Sequence, residues 1–223
     1  MVMVTKKKRN PHNIVFLEAL IMALFIFGLG ILLGFVIEGN RATSIQASYF
    51  DSQVNLVDIQ TLSTLIGDGD YSCAYRIEKN TEFGNRIYED ALILAEYEES
   101  QTFGRGLKEQ HRIYDLLRTI FWINSIELKE DCPDLNTIVY LYEYGVEDKE
   151  EVQEQDVFSR FAGELKDELG ENTVLIPIAI NLDLASLDIL KERYGVDGTM
   201  ILINEDIRLK DIESLESFDE SNI

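Results

Sequence analysis

The spacing of apolar and polar positions changes period along this chain, and each change marks a different kind of element. From Ile14 to Ile37 the residues are apolar apart from Glu18. These 24 residues, at about 1.5 Å of rise each, make roughly 36 Å of helix, enough to cross a bilayer core with some tilt. From Arg41 to about Ile66 the apolar residues Ile45, Tyr49, Leu56, Ile59, Leu62 and Ile66 recur at helical steps. Only Gly39 and Asn40 separate this helix from the apolar one, so it can be a continuation of it. Gly67-Asp68-Gly69-Asp70 then reads as a turn, since it lacks the spaced ligands and closing Glu of a calcium loop. A second helix is expected over Tyr71–Glu98, with Ile87, Ala91, Leu94 and Ala95 inward and Gly84 as a candidate interruption. A third covers Arg105–Leu128, with Ile113, Leu116, Leu117, Ile120 and Ile123 inward and Phe121 and Trp122 adding bulk.

After Cys132-Pro133 the period shortens. Thr137–Tyr144 (TIVYLYEY), Thr173–Ile180 (TVLIPIAI) and Thr199–Ile203 (TMILI) are short β-branched or aromatic runs that read as buried strands. A helix over Glu150–Leu169, closed by Gly170, lies between the first two, and one over Leu184–Tyr194, closed by Gly195, between the next two. Asn204-Glu205-Asp206 turns the third strand into a fourth, Ile207–Lys210, and a short helix over Asp211–Phe218 follows. The expected class is α/β: a membrane-crossing helix over residues 14–37, a helical segment over 41–130, and a βαβαββα domain with a mixed four-stranded sheet over 136–220.

Charge orients this plan. Lys6, Lys7, Lys8 and Arg9 lie in the short tail of residues 1–13, and no acid occurs before Glu18. Beyond the apolar segment and Glu38, 16 basic residues face 39 acidic ones, a net of −23. Positive flanks stay on the cytoplasmic side. The expectation is therefore a single-pass cell-membrane protein with its N-terminus cytoplasmic and its acidic part extracytoplasmic. A cleaved signal peptide fits less well: its apolar region is about 7–15 residues and ends in a small-x-small site, whereas Ala42-Thr43-Ser44 is a poor site. So acidic a domain is repelled by phosphate backbones, which argues against a nucleic-acid partner. The acids are surface solubility, or an adaptation to salt.

The sequence offers little conventional site chemistry. His111 is the lone histidine beyond the tail, a surface or packing residue, so no zinc cluster or His-based triad is expected. No phosphate-cradling loop or singled-out carboxylate pair is present, and no cofactor is expected. Cys73 and Cys132 are the two cysteines. Outside the cytoplasm they suggest a disulfide, with two separate thiols as the alternative. Gly30 and Gly34 form a small-xxx-small pair on which two membrane helices, and so a homodimer, could pack. Glu18, about one turn into the helix, can snorkel to the interface.

One stretch carries a family resemblance. Ile180-Asn181-Leu182-Asp183, then Leu190-Lys191-Glu192-Arg193-Tyr194-Gly195-Val196-Asp197-Gly198-Thr199, resembles the thioredoxin-like strand ending in an acidic turn, then a helix and a KxYGVxGTP segment. With the element order, the resemblance covers about residues 136–220. It implies a thioredoxin-like domain whose redox site is missing. Where the family places Cys-x-x-Cys, this chain has Val146, Glu147 and Asp148; where it places a cis-proline, this chain has Met200. A cis bond before a non-proline residue costs about 3 kcal/mol, so a trans loop is expected there. As a whole the chain resembles small single-pass archaeal membrane proteins that carry such degenerate domains. The implied role is non-catalytic: binding or scaffolding of a protein partner at the membrane. The alternative is a membrane-bound redox protein or thiol sensor that cycles Cys73 and Cys132.

Overall fold

A computed structural model describes residues 11–67, 71–99 and 104–219. The basic residues Lys6 to Arg9 and the turn at Asp68 to Asp70 lie outside these, as do the side chains of Ile45, Tyr49, Leu56, Ile59, Leu62, Ile66, Leu94 and Ala95. The chain divides into two compact units, Met1–Phe50 and Asp51–Ile223.

The first helix, α1, runs as one element over Pro11–Gly67. The helix continues through Gly39 and Asn40, as their brevity allows. A lone glycine costs a helix about 1 kcal/mol, and established turns on either side outweigh that. Within the first unit, Val15–Ile37 is long and apolar enough to span a bilayer, and none of it is buried against other parts of the protein.

The second unit is built on a mixed four-stranded sheet. After α2 (Cys73–Glu99) and α3 (Gly104–Asp131) come β1 (Asn136–Tyr142), α4 (Lys149–Leu169), β2 (Thr173–Ala179), α5 (Ala185–Tyr194), β3 (Met200–Ile203), β4 (Ile207–Leu209) and α6 (Ile212–Glu216). The strand order is β2-β1-β3-β4. β1 and β2 are parallel, from Asn136 opposite Thr173 to Tyr142 opposite Ala179. β3 runs antiparallel to β1, with Met200 opposite Leu141, and β4 antiparallel to β3. The expected strands sit within one residue of these bounds, except that Glu143 and Tyr144 leave β1 and enter the loop after it.

The unbroken apolar strands follow from burial on both faces. Val139 and Leu141 of β1, Ile176 and Ile178 of β2, and Met200 and Leu202 of β3 share a core with Phe83 of α2, Leu117, Phe121 and Trp122 of α3, and Leu187 and Tyr194 of α5. On the opposite face Ile138, Tyr140, Ile201 and Ile203 pack with Phe158, Ala162 and Leu165 of α4 and Leu215 of α6. α2, α3 and the sheet thus share one core. Gly84 does not interrupt α2: an added Cβ there would meet the Phe121 ring at 2.7 Å, so its lack of a side chain lets α3 approach.

Local chemistry sets the ends. The αL backbone of Gly195 closes α5, and Asp211 with Ser214 forms a capping box on α6. Between β3 and β4, Asn204 and Glu205 have φ of 51° and 62°, as a type I′ turn requires. The turn is stapled to β1: Asn204 N–H donates to the Thr137 carbonyl and the Thr137 N–H to Asn204 Oδ1.

Candidate functional site

The positions where the family resemblance places redox chemistry lie at the loop after β1 and the start of β3. Val146 is half-buried and Glu147 exposed, and Asp148 is the N-cap of α4. The Asp148 carboxylate accepts from the N–H groups of Glu150 (2.8 Å) and Glu151 (3.4 Å). The amides at this helix N-terminus are thus already engaged by a side chain of the chain itself. Met200 is buried in the core opposite Leu141, and no cis peptide bond occurs among the described residues.

The two cysteines are elsewhere. Cys73 opens α2, Cys132 follows α3, and they form a disulfide with Cα atoms 5.5 Å apart. Cys132 is buried and Cys73 half-buried. The Arg76 guanidinium pairs with Asp131 at 2.9 Å beside the bridge, so covalent and ionic links join the same two helix ends. Cys132 precedes β1 and Val146 follows it, which puts the bridge and the Val146 loop at opposite ends of the strand. The structure does not bring Cys73 and Cys132 to Val146, Glu147, Asp148 or Met200.

What the structure does gather, at the C-terminal ends of the two parallel strands, are residues of the loops and of α3. Asn181 joins the loops: its Oδ1 accepts from Tyr144 N–H and its Nδ2 donates to the Tyr144 carbonyl, both at 2.9 Å. The His111 ring lies on the Tyr144 ring, centroids 4.0 Å apart, and is buried, so His111 is a packing residue and not a surface one. Arg112 donates through Nε to the Leu182 carbonyl (3.1 Å) and through Nη2 to that of Asp183 (3.3 Å). Lys191 of α5 donates to the Ile180 carbonyl at 3.0 Å.

One turn along α3 from His111, Asp115 is fully buried. Its Oδ1 accepts from Ala179 N–H at 3.1 Å and from Arg118 Nη1 at 3.2 Å. Asn136 N–H donates to Asn172 and Ile180 N–H to Tyr142, so the even-numbered positions of β2 bond β1 and the odd ones face the open edge. On that edge Pro177 has no N–H, Thr173 donates to the Gly170 carbonyl, and Asp115 takes the N–H of Ala179. Few donors remain to recruit another strand. Burial pushes the Asp115 carboxyl above its ordinary range, opposed by Arg118, the Ala179 N–H and His111.

At the other end of β1, Glu205 Oε1 accepts from Trp122 Nε1 (3.0 Å) and Thr137 Oγ1 (2.8 Å), with Lys129 Nζ 3.9 Å from Oε2. Burial pulls the Lys129 ammonium below its usual range against the pull of Glu205. This network ties the β3–β4 turn to α3. Among the described residues no cluster of three or more His, Cys, Asp or Glu side chains is placed to hold a metal ion. At Gly28, Gly30 and Gly34 an added Cβ would meet nothing within 4 Å.

The sequence pattern singles out neither Asp115 nor, beyond its place in a turn, Glu205. Asp115 carries a local signal, a carboxylate between the inward positions Tyr114 and Leu117 of α3. Glu205 carries none, because its partners lie 83 and 68 residues away. No family model, characterised protein or solved structure matches the chain.

Proposed function

We propose that this is a single-pass membrane protein, its N-terminal tail cytoplasmic, that displays a thioredoxin-like domain without thiol chemistry and binds a protein partner outside the cell. The strand order β2-β1-β3-β4, one parallel and two antiparallel pairs, and the helices between β1, β2 and β3 support the fold reading. The observation that carries the functional reading is Asp148. In thiol oxidoreductases a helix N-terminus lowers the pKa of an attacking cysteine. Here that site holds no cysteine and its amides bond Asp148. A fold without its reactive group does not bring the activity. The basic residues before the apolar helix and the acidic residues after it support the orientation.

The test uses the full chain in lipid nanodiscs. No turnover of a disulfide-bearing peptide substrate is expected, together with recovery of a defined partner by crosslinking in native membranes. Sustained reductase or oxidase turnover overturns the reading. A second reading, a thiol sensor using Cys73–Cys132, is favoured by the partial exposure of Cys73. It requires a reduction potential well above the roughly −300 mV below which structural bridges lie. If Gly30 and Gly34 pair two copies, membrane crosslinking gives a dimer that Gly30→Leu abolishes.

A further inference from the structure

We infer that α1 pairs with α1 of a second copy of this chain, beyond the apolar span, through a stripe made by Val54, Val57, Thr61 and Thr64. These residues recur along the helix at steps of three, four and three. That is the spacing at which two parallel helices interlock their side chains. Val54 and Val57 are 62% and 60% exposed and Leu65 beside them 61%, so no described residue of their own unit covers this surface. The two threonines are exposed as well, yet their hydroxyls are occupied. Thr61 Oγ1 donates to the Val57 carbonyl at 2.8 Å and Thr64 Oγ1 to that of Gln60 at 2.9 Å. Burying the stripe against another helix therefore strands neither hydroxyl donor.

Charge selects a second copy as the occupant. The protein carries a net −21, so two copies repel each other over most of their surface. From Ser52 to Gly67, however, Asp58 is the one ionisable residue, and Arg86 of α2 pairs with it at 3.4 Å. This is a stretch on which two like-charged chains can touch. A basic partner is drawn instead to the acidic remainder and gains nothing from an uncharged stripe.

Area makes the same selection. A few side chains over about three turns bury far less than the roughly 800 Å² per side of a stable association between free proteins. A freely diffusing partner is not held by so narrow a face. A copy confined to the same bilayer is, because confinement supplies a high effective concentration. The inference thus rests on reading Val15–Ile37 as a membrane anchor. The stripe follows that span at the same chain distance in every copy, so anchored copies present it at the same height. Identical residues then meet, Val57 with Val57 and Thr61 with Thr61, in a parallel pair with twofold symmetry.

The test is crosslinking of the full chain in lipid vesicles with a short bis-maleimide, one introduced cysteine at a time. The native cysteines are bonded to each other and do not react. Val57→Cys and Thr61→Cys are expected to give several-fold more crosslinked dimer than Asn55→Cys and Ser63→Cys, which take other positions in the seven-residue repeat. Adding Val57→Glu to Thr61→Cys is expected to bring its dimer down to the level of those controls. Equal yields at all positions, no dimer at any, or a dimer that survives Val57→Glu overturns the inference. An alkaline wash and flotation of the same vesicles separate the two readings. A chain that stays embedded without this pattern overturns the pairing alone, and a chain that washes off overturns the anchor and the pairing with it.

Discussion

Trp122 of α3 donates its indole N–H to Glu205 of the β3–β4 turn, 83 residues further along the chain, at 3.0 Å. The same carboxylate oxygen accepts from Thr137 at 2.8 Å. One side chain thus joins a helix, a strand and a turn. Glu205→Ala strands two donors in a largely buried place and leaves Lys129 without its ion pair, and a loss of about 2–3 kcal/mol is expected from the unfolding midpoint in urea. Glu205→Gln keeps an acceptor and should lose less than half as much. Equal losses would show that the carboxylate's hydrogen bonds are not what holds the turn.

Gly84 and Phe121 give a packing prediction. Gly84→Ala gains about 1 kcal/mol of helix propensity but drives a methyl against a buried ring, an overpacking that costs typically 1–3 kcal/mol. A net loss of about 1 kcal/mol is expected. Phe121→Leu made in the Gly84→Ala background should then cost less than it does in the wild type. Additive effects in this double-mutant cycle would mean that the ring moves aside freely.

Tyr140 predicts an alkaline dependence. Its hydroxyl donates to the Gln155 carbonyl of α4 at 2.8 Å, and burial, Tyr142 and Asp156 raise its pKa. A phenol whose folded pKa is raised contributes stability below the ordinary tyrosine value of about 10, and the contribution is lost as pH rises further. Tyr140→Phe should lose about 1 kcal/mol at neutral pH. The gap to wild type should shrink above pH about 10 as the wild type weakens, leaving Tyr194, which burial also shifts upward. Denaturation midpoints at both pH values check this.

The bridge predicts a large redox difference. For cysteines separated by 59 residues, the chain-entropy estimate is about 4 kcal/mol. The Cys73→Ser/Cys132→Ser double variant should be less stable by up to that amount, and wild type in excess reductant should approach it. The Arg76–Asp131 ion pair joins the same two helix ends independently of the bridge.

Much of the second unit is legible in the sequence because its signals are local. Runs such as TIVYLYEY state their own period, and the glycines after α4 and α5 mark their own caps. Facing partners are less legible. The apolar stripe of α3 says that Leu117 and Phe121 are buried, but not that they lie on β1 and β2 together with α2. Gly84 looks like a helix breaker until Phe121 is placed over it. The two-residue Gly39-Asn40 step is short enough for the helix to continue through it, and the turns on both sides do carry it across. The site shows the same split. Val146 and Met200 are found by counting from the strands, whereas the Tyr144–Asn181 pairing and the Asp115–Ala179 bond join residues 37 and 64 positions apart.

The Cys73–Cys132 bond also changes how force travels through the molecule. Tension applied between the apolar helix and the sheet follows the shortest covalent route, which crosses at the sulfurs and enters β1 four residues later. The α2–α3 pair is left on a closed loop outside that route. While the bond is intact the pair carries no covalent tension, and pulling on the apolar helix does not draw it out. On reduction the 59-residue separation becomes extensible chain, about 200 Å when stretched. Reduction thus lengthens the covalent path between the same two points of the chain without any change of sequence.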